Sequence, residues 1–400
     1  MNLRDKLWAK DFVLLSLSCL FLFLSFEMLM PALPIYIAEI GGNTSEIGMV
    51  MGCFTITAVM IRPFSGYAAN RLGTKLLLIA GGILCLVATG LYYVAVTVLW
   101  VLIIRLLHGL GFGIATTLYG TIVADLIPSS RMGEGMGYFG LANTIAISIG
   151  PFLGVVIIDN GGYKTLILVS TVILVLACLF NLIVKTSSSS KQANDIPMEK
   201  KESVALSSQL IEKKAIFPSI LGMMAGFSFG GILSFITLYG KEIGVSNIGY
   251  FFLVVSIFEV LVRFVSGRLF DRKGPMWVIF PSAILSFIAT IILSYASSMT
   301  VMLIAASFYG LGFGALFPAL QAWVINRVEP SRRGSATATF FNLFDIGIAG
   351  GAVLLGFIAG ITSFSTMFRI SSLFYMALIC ICIVYEFISI KKRVMIGKSI

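Results

Sequence analysis

The feature that most constrains this chain is a succession of apolar runs, each about 20 residues long, the length a helix needs to cross hydrocarbon about 30 Å thick. Twelve such runs can be marked, at about 12–34, 46–68, 75–97, 99–124, 135–158, 164–185, 216–239, 247–267, 276–297, 301–325, 336–360 and 370–390. Strands of a membrane barrel would show as roughly 10-residue alternating segments, and none are seen. Helices are then the remaining way to satisfy backbone hydrogen bonds in lipid. The first run is too long, and lacks a small-residue cleavage site, to read as a removable signal peptide. The fold class predicted is all-α integral membrane, with twelve transmembrane helices.

Charge placement orients these spans. The net charge is +10, yet 22 of the 28 Lys and Arg residues fall in the N-terminus, the even-numbered loops and the C-terminus. The odd-numbered loops hold Lys164, Lys241 and Arg369. This positive-inside bias predicts a multi-pass protein of the cell (inner) membrane with both termini cytoplasmic, and it accounts for the basic balance without nucleic acid. The six cysteines lie inside predicted spans without CxxC spacing, so neither metal nor disulfide is expected. No cofactor is expected, and the absence of GxxxxGK[ST] leaves no nucleotide site to drive the chain with ATP.

The sequence repeats itself at an offset of 201 residues: Arg62 matches Arg263, Arg71 and Gly73 match Arg272 and Gly274, "GLGFG" from Gly109 matches Gly310 to Gly314, and Arg131 matches Arg332. The offset carries an inside loop onto an inside loop, so the two halves are parallel repeats. Three segments follow: an N-terminal six-helix bundle at 1–185, a polar Ser- and Lys-rich cytoplasmic linker at 186–215 with a short surface helix expected near its end, and a C-terminal bundle at 216–400.

The loop after the second span reads "GYAANRLGTK" and its repeat mate "GRLFDRKGP". Gly66, Asn70, Arg71 and Gly73, with Gly267, Asp271, Arg272 and Gly274, thereby resemble the G-x-x-x-D-R-x-G-R/K signature of the major facilitator superfamily. Asn70 stands where the family usually has Asp. The resemblance implies the superfamily's fold of two pseudo-symmetric bundles, a cytoplasmic gate in which the glycines allow close helix approach, and alternating access around a midplane site. Lys75 and Lys273 are accounted for by positive-inside alone.

The fourth span carries Arg105, His108, Gly109, Gly111 and Gly113, which resembles the R-x-x-x-G-x-G motif of the superfamily's proton-coupled exporters. Arg105 lies about 9 Å into the span from Leu99, where a charge is costly unless it faces water or a carboxylate. In the second half Ala306 replaces it, so GLGFG is duplicated scaffold while the charge is not duplicated. In the fifth span Gly150, Pro151 and Gly154 partly match the antiporter motif g-x-x-x-G-P-x-x-G-G and predict a kinked, closely packed helix. Glu27, about 22 Å from the start of the first span, reaches the depth of Arg105 and is expected to pair with it. Asp345, near the midplane, is a second proton-carrier candidate, and His108 a third titratable group. Glu259 reads as the partner of Arg263 four residues on. Tyr36, Tyr119, Phe235, Tyr239, Phe308, Tyr309 and Phe317 are on spans that line the cavity in this family.

The function expected is that of the superfamily's drug–proton antiporters: export of a small amphipathic organic molecule in exchange for protons by a monomer in the lipid bilayer, with no enzymatic activity. A dedicated exporter of one metabolite, such as a metal-chelating siderophore or opine-like product, a proton–metabolite symporter, and a non-transporting sensor share the same sequence features.

Overall fold

The computed structural model describes residues 7–128, 131–185, 212–329 and 332–397, and these contain helices and no strand. The chain divides into two compact units, Met1–Val204 and Ala205–Ile400. Residues 186–211 of the expected linker lie outside the described residues; its end is a single turn, Lys213–Ala215.

In the first unit, helices α1 (Lys10–Glu39), α2 (Thr44–Leu72), α3 (Thr74–Leu91), α4 (Val98–Leu126) and α5 (Met132–Ile183) follow one another. Their starts are written locally. The Asn43 side chain accepts from the Glu46 amide at 2.9 Å and the Asn43 amide donates back to the Glu46 carboxylate at 2.8 Å, a reciprocal cap that satisfies two helix-end donors of α2. Thr97 caps α4 by accepting from the Trp100 amide. The breaks are local as well: Gly73 closes α2 at φ +89°, in the left-handed region that a Cβ disfavours.

The second unit holds α6 (Ile216–Glu242), α7 (Gly249–Lys273), α8 (Met276–Ser294), α9 (Met299–Asn326), α10 (Arg333–Ile361) and α11 (Phe364–Gly397). Gly274, repeat mate of Gly73, ends α7 at φ +92°.

Eleven helices among the described residues are long and apolar enough to cross a membrane, against twelve runs in the sequence. The difference is α5, whose 52 residues would extend about 78 Å if straight, more than twice the hydrocarbon thickness. It is broken at Gly162, with φ 77° and ψ 174°, into arms at 132–161 and 163–183 that correspond to the fifth and sixth runs.

Packing inside each unit follows one scheme. In the first, α1 lies along α5, and α4 sits between α2 and α3; in the second, α6 lies along α10, and α9 sits between α7 and α8. The pairs are repeat mates, so the repeat written at 201 residues is a repeat of helix contacts.

Candidate functional site

The glycines of the repeated pentad explain the scheme. A Cβ on Gly109 would collide with the Phe54 carbonyl of α2, one on Gly113 with the Ala58 carbonyl, and one on Gly111 would come within 2.8 Å of the Cys85 amide of α3. Gly109 and Gly113 therefore admit α2 on one face of α4, and Gly111 admits α3 on the other. In the second unit Gly310 meets the Val255 carbonyl, Gly314 meets Glu259, and Gly312 meets Ser286. The phenylalanine within each pentad is an aromatic hub: Phe112 is tilted against Phe26 at 4.5 Å and Phe54 at 5.3 Å, and Phe313 stacks on Phe229 at 4.7 Å and Tyr309 at 5.5 Å.

This close packing encloses Arg105. Its side chain is 0% exposed, and its guanidinium lies 5.4 Å from the Phe54 ring, 5.8 Å from Tyr92 and 5.9 Å from Phe26. None of its three nitrogens has a hydrogen-bond partner among the described residues. His108, one turn on, is buried edge-to-face with Phe26 and Phe54 and tilted against Tyr92, its Nδ1 also unbonded. The Tyr92 and Tyr163 hydroxyls are buried and unbonded in the same region, and both are within electrostatic range of Arg105. The site is a cation held by ring quadrupoles, each contact worth about 0.5–2 kcal/mol, beside several hydrogen-bonding groups.

Glu27 is 7% exposed. Its backbone and Cβ face the kinked helix, since a Cβ on Gly150 would come within 2.5 Å of Glu27 Cβ and one on Gly154 would collide with the Met28 carbonyl. Gly150 and Gly154, flanking Pro151 inside α5, thus seat α1 at the residue carrying the carboxylate. Phe26 meets Arg105, whereas the next residue, about 100° around the helix, meets α5. Among the described residues Arg105 makes no hydrogen bond to Glu27. Asp345 is half-buried on α10.

The predicted cavity tyrosines are tied into the bundles. The Tyr36 hydroxyl donates to the Ala95 carbonyl and its ring stacks on Tyr163 at 3.7 Å. Tyr239 donates to the Ala296 carbonyl at 2.9 Å. Ala95 and Ala296 are mates at 201 residues, but Tyr36 and Tyr239 are 203 apart, so a two-residue shift before the second span hides a duplicated strut. Tyr119 is buried, bonded to Ser18 at 2.5 Å and to Asn181 at 2.9 Å, joining α1, α4 and α5. Tyr309 meets Tyr375 at 3.3 Å, and Phe235 is fully buried. Phe308 and Phe317 are half-buried, Phe317 against Phe344 at 4.7 Å.

At the opposite end of the first unit lies the loop motif. Among the described residues a Cβ on Gly66 or Gly267 would meet nothing within 4 Å, so in this structure no helix is packed close against these two glycines. Backbone geometry requires Gly73 and Gly274. Lys75 donates to the Leu182 and Val184 carbonyls at 2.9 and 2.8 Å, capping the end of α5 where carbonyls lack helical partners. Arg71 lies 4.9 Å over Tyr67, Asp271 and Arg272 are exposed, and the Asn70 side chain lies outside the described residues. In the second unit Glu212 closes the turn before α6: it bonds Arg332, accepts from the Lys214 amide at 3.2 Å, and its own amide donates to Thr339 at 3.0 Å. The Lys214 amide foremost, then Arg332, hold this carboxyl below the usual carboxylate range.

Sequence reasoning passed over Phe54, Tyr92, Phe112 and Tyr163. Phe112 was within reach, because the duplicated pentad repeats its phenylalanine with its glycines.

Comparison with known proteins agrees with this architecture. The Major Facilitator Superfamily pattern matches residues 15–352 and 274–392. The chain is 24% identical over 380 residues to the multidrug resistance protein MdtG of Klebsiella pneumoniae, covering 91% of this chain and 90% of that protein. It is 24% identical over 380 residues to the staphylopine export protein of Staphylococcus aureus, covering 90% and 92%. The crystal structure of the nucleoside transporter NupG matches with a TM-score of 0.72 at 16% identity, covering 94% of this chain and 99% of that one. A pattern that runs from residue 15 to residue 392 over helices long enough to span a bilayer leaves one conclusion: the chain belongs to the Major Facilitator Superfamily and is a multi-pass membrane transporter.

Proposed function

We propose that this transporter exports small amphipathic organic molecules across the cell membrane by alternating access while protons move inward, as a monomer with both termini in the cytoplasm. The observation that carries the reading is the Arg105 cage. A guanidinium that is 0% exposed and rests on three rings is costly to bury, and its repeat mate, Ala306, carries no charge. A charge kept in one repeat only supports a role in the transport cycle, and intramembrane ionisable groups are function sites by default. Glu27, seated on Gly150, and Asp345 are the carboxyls assigned to proton exchange, with His108 beside Arg105. Residues 186–215 serve as a cytoplasmic linker. The name of the K. pneumoniae relative supports export of varied compounds.

The S. aureus relative, named for export of one metabolite, supports a second reading: a dedicated exporter whose cargo carries an acidic group complementary to Arg105. Everted membrane vesicles containing the chain separate the two. Ethidium accumulation that collapses when the pH gradient is dissipated supports multidrug–proton exchange. No movement of ethidium or other lipophilic cations, with a single-metabolite phenotype on deletion, supports the dedicated exporter.

A further inference from the structure

Glu259, expected to pair with Arg263 on its own helix, also faces a neighbouring helix. The residue is 6% exposed on α7, ten residues after Gly249, so about 15 Å into a layer about 30 Å thick. A Cβ on Gly314 would come within 2.7 Å of Glu259 Cα, 2.8 Å of Cγ and 2.9 Å of Cβ. The pentad glycine therefore makes the space through which this acidic side chain enters the bundle. In the first unit the mate of Glu259 is Ala58, which lies against Gly113 in the same way. The repeats have thus diverged in opposite senses: Arg105 answers Ala306, and Glu259 answers Ala58.

A group of buried hydroxyls lies at the depth of this carboxyl. Tyr309 on α9, itself about 15 Å from the start of its helix, is within electrostatic range of Glu259. Its hydroxyl meets that of Tyr375 on α11 at 3.3 Å. Tyr375 faces Ser228 and Ser286, and Ser228 is bonded to Ser371 at 2.7 Å. Tyr309, Tyr375, Ser228 and Ser371 are all buried. The helices packed on α7 are α8 and α9; α8 carries no titratable side chain and α9 only Tyr309. On α7 itself, Arg263 is one turn away. Hydroxyls suit a carboxyl that changes state, because each can donate to a carboxylate and accept from a carboxylic acid.

We infer that Glu259 is a proton-binding carboxyl of the transport cycle, with Tyr309 as its immediate hydroxyl partner and Tyr375, Ser228 and Ser371 as the connected path. When a proton binds, one O–H bond forms on Glu259 and Tyr309 turns from donor to acceptor. Each hydroxyl along the path takes one proton and passes one on, ending unchanged, the proton being supplied by water that reaches the far end of the path in one state of the cycle. The inference rests on the proton-coupled reading and adds a carboxyl in the second unit.

Infrared spectra of the purified full chain, acid minus alkaline, test the proton site without any cargo. The carboxylic-acid band of wild type is expected to lose one component in Glu259→Gln, the components of Glu27 and Asp345 remaining, and to show that same component shifted in Tyr309→Phe. The same band unchanged in both variants would overturn the inference. If Glu259→Gln fails to fold, an unshifted band in Tyr309→Phe alone overturns it. In proteoliposomes with ethidium as probe, Glu259→Gln is expected to keep ethidium–ethidium exchange while losing accumulation driven by a pH gradient. Wild-type accumulation in Glu259→Gln, or loss of both activities, rejects the assignment. If wild type shows no gradient-driven accumulation while its infrared band depends on Glu259, proton-coupled export fails and the proton site stands.

Discussion

A guanidinium enclosed by three rings, none of its nitrogens hydrogen-bonded among the described residues, is a burden on folding rather than a support. Replacing buried ionic groups by apolar residues of similar volume is often neutral or stabilising, by about 1–4 kcal/mol. Arg105→Met is therefore expected to keep or raise the thermal midpoint of the purified protein and to abolish transport; a clearly lower midpoint would make the arginine structural. Glu212 carries the opposite sign. Its carboxyl is held below the usual range by the Lys214 amide and then by Arg332, so its contribution is present above the unfolded-state value and lost as pH falls through the folded-state value. Melting curves from neutral to acid pH should show wild type losing more stability below the ordinary carboxylate range than Glu212→Gln. Equal losses would show that the contact contributes nothing.

Helix packing depends on which glycines are crowded. Gly109→Ala would drive a methyl group into the Phe54 carbonyl, and backbone cannot step aside as a side chain can; a loss of about 1–3 kcal/mol is expected. Gly66→Ala, with open space around it, should melt like wild type. Gly73→Ala, at φ +89°, should lose about 1–2 kcal/mol with no clash at all. Thermal melts of the three variants decide the order, and a Gly66→Ala loss as large as that of Gly109→Ala would contradict this packing. The spans and the pentad were legible because membrane length and a repeated spelling are properties of the sequence itself. The loop motif was readable as a pattern but not in its physics: which glycine is crowded and which has positive φ depends on the path of the neighbouring backbone. The struts from Tyr36 and Tyr239 were hidden by a two-residue shift in register, and a hydroxyl's partner depends on helix rotation. The approach of Gly314 to Glu259 was hidden because it depends on how α7 and α9 are rotated against each other.

Across the whole molecule, the two units share one packing scheme and differ in where they bury charge. The duplicated framework, pentad glycines with an aromatic hub, positions the helices; Arg105 with His108 in the first unit and Glu259 with Tyr309 in the second are not duplicated and are where the two units differ. Export coupled to protons needs carboxyls that exchange a proton for cargo, and Glu27 and Asp345 are the ones assigned to that exchange. The most direct test is proton release from acid-loaded everted vesicles on addition of ethidium, comparing wild type with Glu27→Gln and Asp345→Asn. Release by wild type and its loss in at least one variant is the predicted result; release that is unchanged in both variants would contradict the account.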